Sequence, residues 1–144
     1  MSKPIYTTPV EAEAAFYDAL ARADLEAMMV VWSEDDEVVC VHPGGPRVVG
    51  LAAIRESWRQ LFQGNPRLTI RVSNHLVVSN MMMALHTLLE HVALAQNPDP
   101  APSPVIATNV FTRGAHGWRM VAHHASPTPE MEDPMADGVP RTVH

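Results

Sequence analysis

Two polar side chains, Asn109 and His124, lie within strand-like runs that are otherwise apolar, and they are the first candidates for a functional site. Polar groups among apolar neighbours require a hydrogen-bonding partner or a function. Residues two apart on a strand share a face, so Ala107 lies with Asn109, and Ser126 lies with His124. We predict that both pairs face inward on a hairpin formed by residues 107–126. A structural alternative is that Asn109 bonds a neighbouring backbone group or His124.

His42 is the third candidate, because it ends an alternating strand at residues 37–42 and precedes Pro43. The unperturbed pKa of histidine is about 6.5, so this side chain could act as a base near neutral pH. The alternative is that His42 is a partly buried residue whose hydrogen bond is satisfied. Cys40 shares its face, but neighbours at that spacing lie about 7 Å apart, which predicts a buried, inert thiol and no Cys–His pair.

The eight histidines invite a search for a metal site, but their spacing does not support one. His123 and His124 are adjacent on a strand and therefore point to opposite faces. His86 and His91 are five residues apart, which separates them on a helix and on a strand alike. No group matches the ligand spacing of a zinc site, so we expect no metal and no cofactor.

Three helices followed by a run of strands must position these residues. Thr8 can cap a first helix, Asp24 restarts a second, and a third begins after Gly50. Trp32 and Trp58 lie on the apolar faces of the second and third helices, and we expect them in the core or in a pocket wall. Strands are predicted at residues 37–42, 47–49, 68–73, 81–95, 105–112 and 118–125. This order predicts an α+β fold with about three helices on one face of a strongly curved, mainly antiparallel sheet.

Composition limits the classes of protein. A chain of 144 residues, 47% of them apolar, suits one domain with its own core. We place that domain at residues 1–126 and a Pro-rich tail at residues 127–144. The formal charge of −6 and the lack of a basic cluster argue against a nucleic-acid partner. A single cysteine excludes an internal disulfide, and no apolar run resembles a signal peptide or a membrane span, so we expect a cytoplasmic protein with no membrane partner.

Two segments carry a resemblance to a known family. The first is the acidic strand segment at residues 35–43, which is followed by Val-Gly at 49–50 where the third helix begins. The second is the last hairpin, with Thr-Asn-Val-Phe at 108–111, His-Gly-Trp at 116–118 and His-Ala-Ser at 124–126. This pattern resembles the NTF2-like superfamily, which includes SnoaL-like cyclases, ketosteroid isomerases and the association domain of calcium/calmodulin-dependent kinase II. The hairpin is most similar to that association domain.

The resemblance implies a cone-shaped fold with a pocket between sheet and helices, and dimers that pair through the open face of the sheet. It implies that His42 stands where the isomerases carry their general base, and that Phe16 and Asn109 stand at their two oxyanion-donor positions. Phe16 cannot donate a hydrogen bond, and Tyr17 points about 100° away from it on a helix. Glu90 is expected on the far face of the sheet, where a partner subunit would cover it.

The function expected from the residues and the resemblance together is that of a homodimeric protein with an apolar pocket for a small apolar or carbonyl-bearing molecule. His42 would act as base or acid in an isomerase- or cyclase-like proton transfer, with Asn109 and His124 polarising the substrate. The other residues expected to line the pocket are Cys40, Trp32, Trp58, Phe16, Ala107 and Ser126. The alternative is a non-enzymatic self-association module similar to the kinase association domain.

Overall fold

The expected helices and strands form in the computed structural model, which describes residues 3–64, 67–96 and 104–130. In chain order they are α1 (Pro9–Arg22), α2 (Leu25–Val31), β1 (Val39–Val41), β2 (Arg47–Val49), α3 (Leu51–Gln63), β3 (Leu68–Ser79), β4 (Met83–Leu94), β5 (Val105–Gly114) and β6 (Gly117–Pro127). The predicted α+β architecture, with three helices packed on a curved sheet, is confirmed. Most of the predicted Pro-rich loop, at 97–103, and of the tail, at 131–144, lies outside the described residues.

Side-chain caps fix where the first two helices begin. The Thr8 side chain accepts a hydrogen bond from the backbone N–H of Glu11, and Asp24 does the same for Ala27 at the start of α2. Each cap satisfies one of the N–H groups that a first helical turn leaves without a partner. Between them, Ala23 adopts a left-handed conformation with φ 53°, which ends α1 and turns the chain into α2. The two helices therefore begin where the sequence predicts.

The sheet is mixed, with strand order β2-β1-β6-β5-β4-β3. Four of its five pairings are antiparallel, and β1 pairs with β6 in parallel. The parallel pairing places Cys40 of β1 opposite His123 of β6. The expectation of a mainly antiparallel sheet is therefore confirmed, with one central exception that joins the N-terminal strands to the last hairpin.

A bulge in β6 changes which residues face the helices. Val110 pairs with Ala122 and Phe111 pairs with Met120, so Val121 is one extra residue in β6. An extra residue reverses the inside–outside alternation beyond it. Met120 and His123 are consequently both buried, although they are three residues apart.

The prediction that His124 and Ser126 face inward is wrong for this reason. His124 is exposed and lies opposite Thr108, whereas His123 is 2% exposed and lies opposite Asn109. Ser126 follows His124 on the outer face and lies opposite Ile106. The prediction assumed that inward and outward side chains alternate without interruption from Met120 to His124. The bulge at Val121 lies between these residues, so the inward histidine is His123.

A second bulge lies in β3, where the pairing shifts between Ser73 and Leu76. Asn74 sits in this bulge with φ 56°, in the left-handed region that asparagine tolerates better than most residues. Bulges re-aim side chains, and this one directs His75 toward α1.

The inner face of the sheet and the three helices enclose the core, whose largest fully buried side chains include Trp32, Trp58, Phe16 and Phe111. On β4 the inner side chains Ala84 and Leu88 are buried, while Leu85 on the outer face is 37% exposed. The outer face is therefore the less covered side of this strand. Among the helices of the described residues, none has the length and apolarity needed to cross a bilayer.

Gly117 is a position where the fold requires glycine. Its φ is +87°, and a Cβ atom there would lie 2.6 Å from the backbone oxygen of Tyr6. That oxygen accepts a hydrogen bond from the N–H of Trp118 at 2.9 Å, so it cannot easily move. We expect Gly117→Ala to lower the free energy of unfolding by about 2 kcal/mol in urea denaturation. Gly114→Ala is the matched control, since a Cβ there meets nothing within 4 Å, and equal losses in the two variants would contradict the prediction.

Candidate functional site

A row of chemically capable side chains crosses the inner face of the sheet from strand to strand. The pairing register places Cys40, His123, Asn109 and His86 opposite one another on β1, β6, β5 and β4. All four are 2% exposed or less. The sheet therefore brings together residues that lie far apart in the sequence, beneath helix α1.

Glu13 of α1 binds this row from above. Its Oε2 lies 2.9 Å from His86 Nδ1 and accepts a hydrogen bond from Asn109 Nδ2 at 3.0 Å. Its Oε1 lies 3.3 Å from Nε2 of His75, the residue that the β3 bulge re-aims. Both oxygens of one buried carboxylate are thus bound by side chains from three different strands.

These contacts decide the charge of Glu13. Burial by itself raises the pKa of the carboxyl, but hydrogen bonds from His75, His86 and Asn109 outweigh burial and lower the pKa to about 2. Glu13 is therefore an anion at neutral pH. Because a carboxylate only accepts hydrogen bonds, Nδ1 of His86 carries the proton in this pair.

The other nitrogen of His86 is unusual. Its Nε2 is buried and has no hydrogen-bond partner within the described parts of the chain. Glu13 fixes the tautomer with the proton on Nδ1, in which Nε2 holds the basic lone pair. A carboxylate that orients an imidazole and leaves its second nitrogen free is the arrangement by which enzymes prepare a general base.

Tyr17 and Glu90 form a second pair beside the first. The Tyr17 hydroxyl donates to Glu90 Oε2 at 2.6 Å and accepts from Asn109 Nδ2 at 3.0 Å. Burial raises the pKa of Glu90 to about 7, with the nearby Glu13 charge adding to the effect and the Tyr17 hydrogen bond opposing it. Burial, reinforced by the Glu90 charge, also raises the pKa of Tyr17, which remains a neutral proton donor.

This pair corrects two expectations. Glu90 is 4% exposed and faces the helices, because it shares strand parity with Ala84 and Leu88, so the prediction of an outer, interface position is wrong. Tyr17 was expected to point away from the site, yet α1 lies on the sheet with the Phe16 and Tyr17 directions both buried. A helix that packs on a concave surface buries a wide arc, which accommodates both directions.

His123 completes the row. Its Nδ1 donates to Asn109 Oδ1 at 2.6 Å, since the Asn109 amide nitrogen is already donating to Glu13 and Tyr17. Burial lowers the pKa of His123 to about 3, so the ring is neutral. It packs on Phe16, with ring centroids 4.7 Å apart. The hydrogen-bonded partner of Asn109 is therefore His123, and the alternative in which Asn109 bonds His124 is excluded.

His42 lies at the edge of this region and is half-buried. Its Nε2 is 3.1 Å from Ser57 Oγ, and Ser57 gives its own proton to the Ile54 carbonyl at 2.8 Å. Nε2 must then be the donor, which leaves the lone pair on Nδ1. Burial lowers the pKa of His42, which keeps the ring neutral and able to accept a proton. The ring stands edge-on to Trp58, with centroids 4.5 Å apart.

Cys40 lies closer to His42 than the strand spacing indicates, with Sγ 3.9 Å from Nε2. Burial raises the pKa of the Cys40 thiol to about 12. A thiol with that pKa stays protonated at neutral pH and is a poor nucleophile. Proton transfer from Cys40 to His42 is therefore unfavourable, as expected for a buried, inert thiol.

The remaining predicted site residues divide into two groups. Phe16, Trp58 and Ala107 are buried on the inner side of the sheet, near the row. Trp32 lines a different cavity of about 700 Å³, at the end of the sheet where β5 turns into β6. His42, Asn109 and His124 do not converge, since His124 is on the other face. Within the described residues no cluster of three or more His, Cys, Asp or Glu side chains could hold a metal ion.

The residues that sequence reasoning missed had a detectable signal. Glu13 and Tyr17 are four apart on a helix, and His86 and Glu90 are four apart on a strand. Both spacings place the two side chains on one face. The spacing therefore places polar side chains on one face of α1 and on one face of β4. Nothing in the sequence indicates that these two faces meet.

The chain is similar to a known domain family and to several solved structures. The model of the SnoaL-like domain family matches residues 10–130. A solved structure from Thiobacillus denitrificans, provisionally named as a calcium/calmodulin-dependent protein kinase type II association domain, is 37% identical. It covers 87% of this chain and 98% of its own, with a TM-score of 0.81. A provisionally named NTF2-like dehydratase from Streptomyces avermitilis is 29% identical, covers 83% of this chain and 92% of its own, and has a TM-score of 0.73.

Two further relatives are more distant in sequence. A ketosteroid isomerase-like protein from Erwinia carotovora is 18% identical, with a TM-score of 0.64, and it covers 83% of this chain and 92% of its own. The F-box protein SKIP8 of Arabidopsis thaliana is 26% identical over 117 residues, or 81% of this chain. The chain spans about half the length of that curated relative, 48%. The family match across most of the chain shows that this protein belongs to the SnoaL-like family and has the NTF2-like fold.

Proposed function

We propose that the protein binds a small carbonyl-bearing molecule between its helices and sheet and moves a proton on it. One observation carries the proposal: His86 is held by the Glu13 carboxylate through Nδ1, while its buried Nε2 has no partner in the described residues. A buried polar atom without a partner is costly, so its retention favours a role with a ligand.

In the proposed step, His86 Nε2 takes a proton from a carbon next to a carbonyl group, and the electron pair of the broken C–H bond forms an enolate. The imidazolium that results is stabilised by Glu13. Returning the proton to another carbon gives isomerisation or cyclisation chemistry. Loss of a β-hydroxyl, protonated as it leaves, gives elimination of water. Each route begins with the same proton abstraction.

The neighbouring hydrogen-bond donor suits this chemistry. Asn109 Nδ2 lies 3.0 Å from both Glu13 Oε2 and the Tyr17 hydroxyl, so the phenol is adjacent to the Glu13–His86 pair. Tyr17 stays protonated, and Glu90 beside it has a pKa of about 7. A carboxyl with that pKa can give or take a proton near neutral pH. The dehydratase name of the Streptomyces relative is consistent with proton abstraction.

The test measures deuterium incorporation from D₂O by NMR into a β,γ-unsaturated steroid ketone, tetralone and a β-hydroxy ketone. Wild-type protein is expected to accelerate exchange of the proton next to the carbonyl in at least one compound. His86→Gln is expected to lower that rate by about 100-fold or more, the usual contribution of a general base. Exposed His116 supplies the matched control, His116→Gln, which should exchange like the wild type.

Two results would contradict the proposal. One is the lack of catalysed exchange with all three compounds. The other is loss of exchange in His42→Gln with full activity in His86→Gln, which would assign the base to His42, the candidate favoured by sequence. Circular dichroism of each variant establishes that a lost rate is not lost folding.

A second candidate function is self-association, and the outer face of the sheet favours it. Leu76, Val78 and Leu85 lie on that face and are 40%, 65% and 37% exposed. Apolar side chains grouped on one open face are typical of an interface between subunits. The Thiobacillus relative, 37% identical, carries the name of an association domain. We therefore propose a homodimer that pairs through this face.

Light scattering after size exclusion tests the homodimer. Leu85→Asp is expected to convert dimers to monomers, because a carboxylate in an apolar interface would be desolvated without a partner. Val49→Asp is the matched control, since Val49 is 54% exposed but lies on the edge strand β2. A wild-type monomer, or a Leu85→Asp dimer of unchanged affinity, would count against pairing through this face.

A further inference from the structure

The cavity of about 700 Å³ beside the β5–β6 turn is separate from the buried row. None of its lining residues belongs to the network around Glu13 and Asn109. Its volume lies in the range of sites that bind small molecules. We propose that this cavity is a second binding site, for a small zwitterion with an apolar body, such as a short apolar peptide. The proposal does not depend on the proton-transfer function.

Two walls of the cavity are fixed by backbone hydrogen bonds and a third by an ion pair. The Ser33 N–H donates to the Met120 carbonyl, and the Arg113 N–H donates to the Met82 carbonyl, each at 2.9 Å. The third wall is the N-terminal segment, where Lys3 forms an ion pair with Glu34. The cavity is therefore formed before any ligand binds, which lowers the entropic cost of binding.

The N-terminal wall is secured by a buried cation. Arg119 is 9% exposed and lines the cavity, and its guanidinium donates to the carbonyls of Pro4, Val30 and His116. It also stacks on the Tyr6 ring, 4.9 Å from the centroid. Both terminal nitrogens of the guanidinium donate to these carbonyls, so Arg119 holds the wall in place.

The apolar side chains of the lining are largely exposed to solvent. Ile5, Met82 and Met83 are 62%, 60% and 48% exposed, and all three line this one cavity. Methionine side chains adapt to ligands of different shape. Apolar surface gathered in a concavity gains free energy when a ligand with an apolar body covers it.

Besides the Lys3–Glu34 pair and Arg119, the lining carries two carboxylates, Asp35 and Asp36, and one guanidinium, Arg113. Lys3 and Glu34 neutralise one another. The Asp35 carboxylate and the Arg113 guanidinium line the cavity and make no hydrogen bond or ion pair within residues 3–64, 67–96 and 104–130.

Asp36 is a further carboxylate on the cavity lining, and its side chain is held by hydrogen bonds. Its Oδ2 accepts hydrogen bonds from Ser33 Oγ at 3.0 Å and Thr112 Oγ1 at 3.4 Å. An ammonium group suits Asp35 and Asp36, and a carboxylate suits Arg113. A molecule that carries only one of these charges would leave the other side of the rim without a partner.

The experiment titrates the whole chain with the dipeptide leucyl-leucine and follows binding by calorimetry and NMR chemical shifts. We expect saturable binding with a dissociation constant below about 10 mM, and NMR chemical-shift changes at residues around Met82 and Arg113. Three relatives of the probe each lack one element: N-acetyl-leucyl-leucine, leucyl-leucinamide and glycyl-glycine. Each is expected to bind more weakly than leucyl-leucine.

Variants assign the charges. Asp35→Asn should lower the affinity for leucyl-leucine by about threefold to fivefold and leave that for N-acetyl-leucyl-leucine unchanged. Arg113→Gln should lower the affinity for leucyl-leucine by about threefold to fivefold and leave that for leucyl-leucinamide unchanged. Glu37→Gln and Arg47→Gln are matched controls, since both residues are exposed and neither lines the cavity. Absence of saturable binding, or equal affinity of both variants and wild type for the dipeptide, would overturn the proposal.

Discussion

Replacing Glu13 by alanine is expected to lower the free energy of unfolding by about 3–5 kcal/mol. The side chain is 5% exposed and binds His75, His86 and Asn109. Alanine would leave His86 buried with neither nitrogen bonded. A buried polar group that loses its partner keeps the full cost of its desolvation. Urea denaturation at pH 7 measures the loss.

Asp18→Ala on the same helix is the matched control. Asp18 pairs with Arg22 at 2.8 Å, but both side chains are well exposed, so the expected loss is about 1 kcal/mol or less. Similar losses in the two variants would show that Glu13 contributes no more than a surface charge and would refute the buried network as a source of stability.

The pH dependence of stability gives Glu13 a second signature. Its pKa is about 2 in the folded protein and 4.5 ordinarily, so folding favours the ionised form. The resulting stabilisation, about 3 kcal/mol, is fully present above pH 4.5 and is lost as the pH falls toward 2. Glu13→Gln should lack this component of the acid limb. An acid limb identical to that of the wild type would contradict the assignment.

Replacing Glu90 by glutamine is expected to have the opposite sign. Burial raises the pKa of Glu90 to about 7 from 4.5, so folding favours the neutral carboxyl. The stability associated with that neutral form is present below pH 4.5 and is lost as the pH rises through 7. Glutamine stays neutral and can still accept the Tyr17 hydrogen bond. We therefore expect Glu90→Gln to be more stable than the wild type at pH 8.5, by up to about 3 kcal/mol.

Unfolding free energies at pH 4.5 and pH 8.5 separate this effect from better packing. The variant should gain stability relative to the wild type only at the higher pH. Glu37→Gln is the control, because Glu37 is exposed. A gain of equal size at both pH values would mean that Glu90 is not held in a neutral form by burial. Together the two carboxyls form a pair whose pKa values are driven apart by their surroundings, an arrangement typical of acid–base sites.

The local parts of the fold were predictable because they depend on nearby residues. The Thr8 and Asp24 caps, the return strand at Arg47–Val49 and the helix after Gly50 form as expected. Each follows from the hydrogen bonds or backbone preferences of a few adjacent residues. The family resemblance at the last hairpin extended this to the whole architecture, which the family match confirms.

The candidate site was predictable only in part. Asn109 is buried as predicted and bonds Glu13, Tyr17 and His123, whereas its role toward a ligand stays a prediction. Its partners were not predicted, because they come from α1 and β6 and the distance between these elements is set by packing. His42 stays a predicted base.

The amino-acid sequence alone specifies an α+β domain, the ends of its helices and an inward-facing Asn109 on β5. The tertiary structure decided which residues meet there. One extra residue at Val121 turned His123 inward and His124 outward. The seating of α1 on the sheet then brought Glu13 within 2.9 Å of His86. A strand's alternation can be read from its own residues, but a bulge and a helix seating depend on the pairing and packing of distant segments.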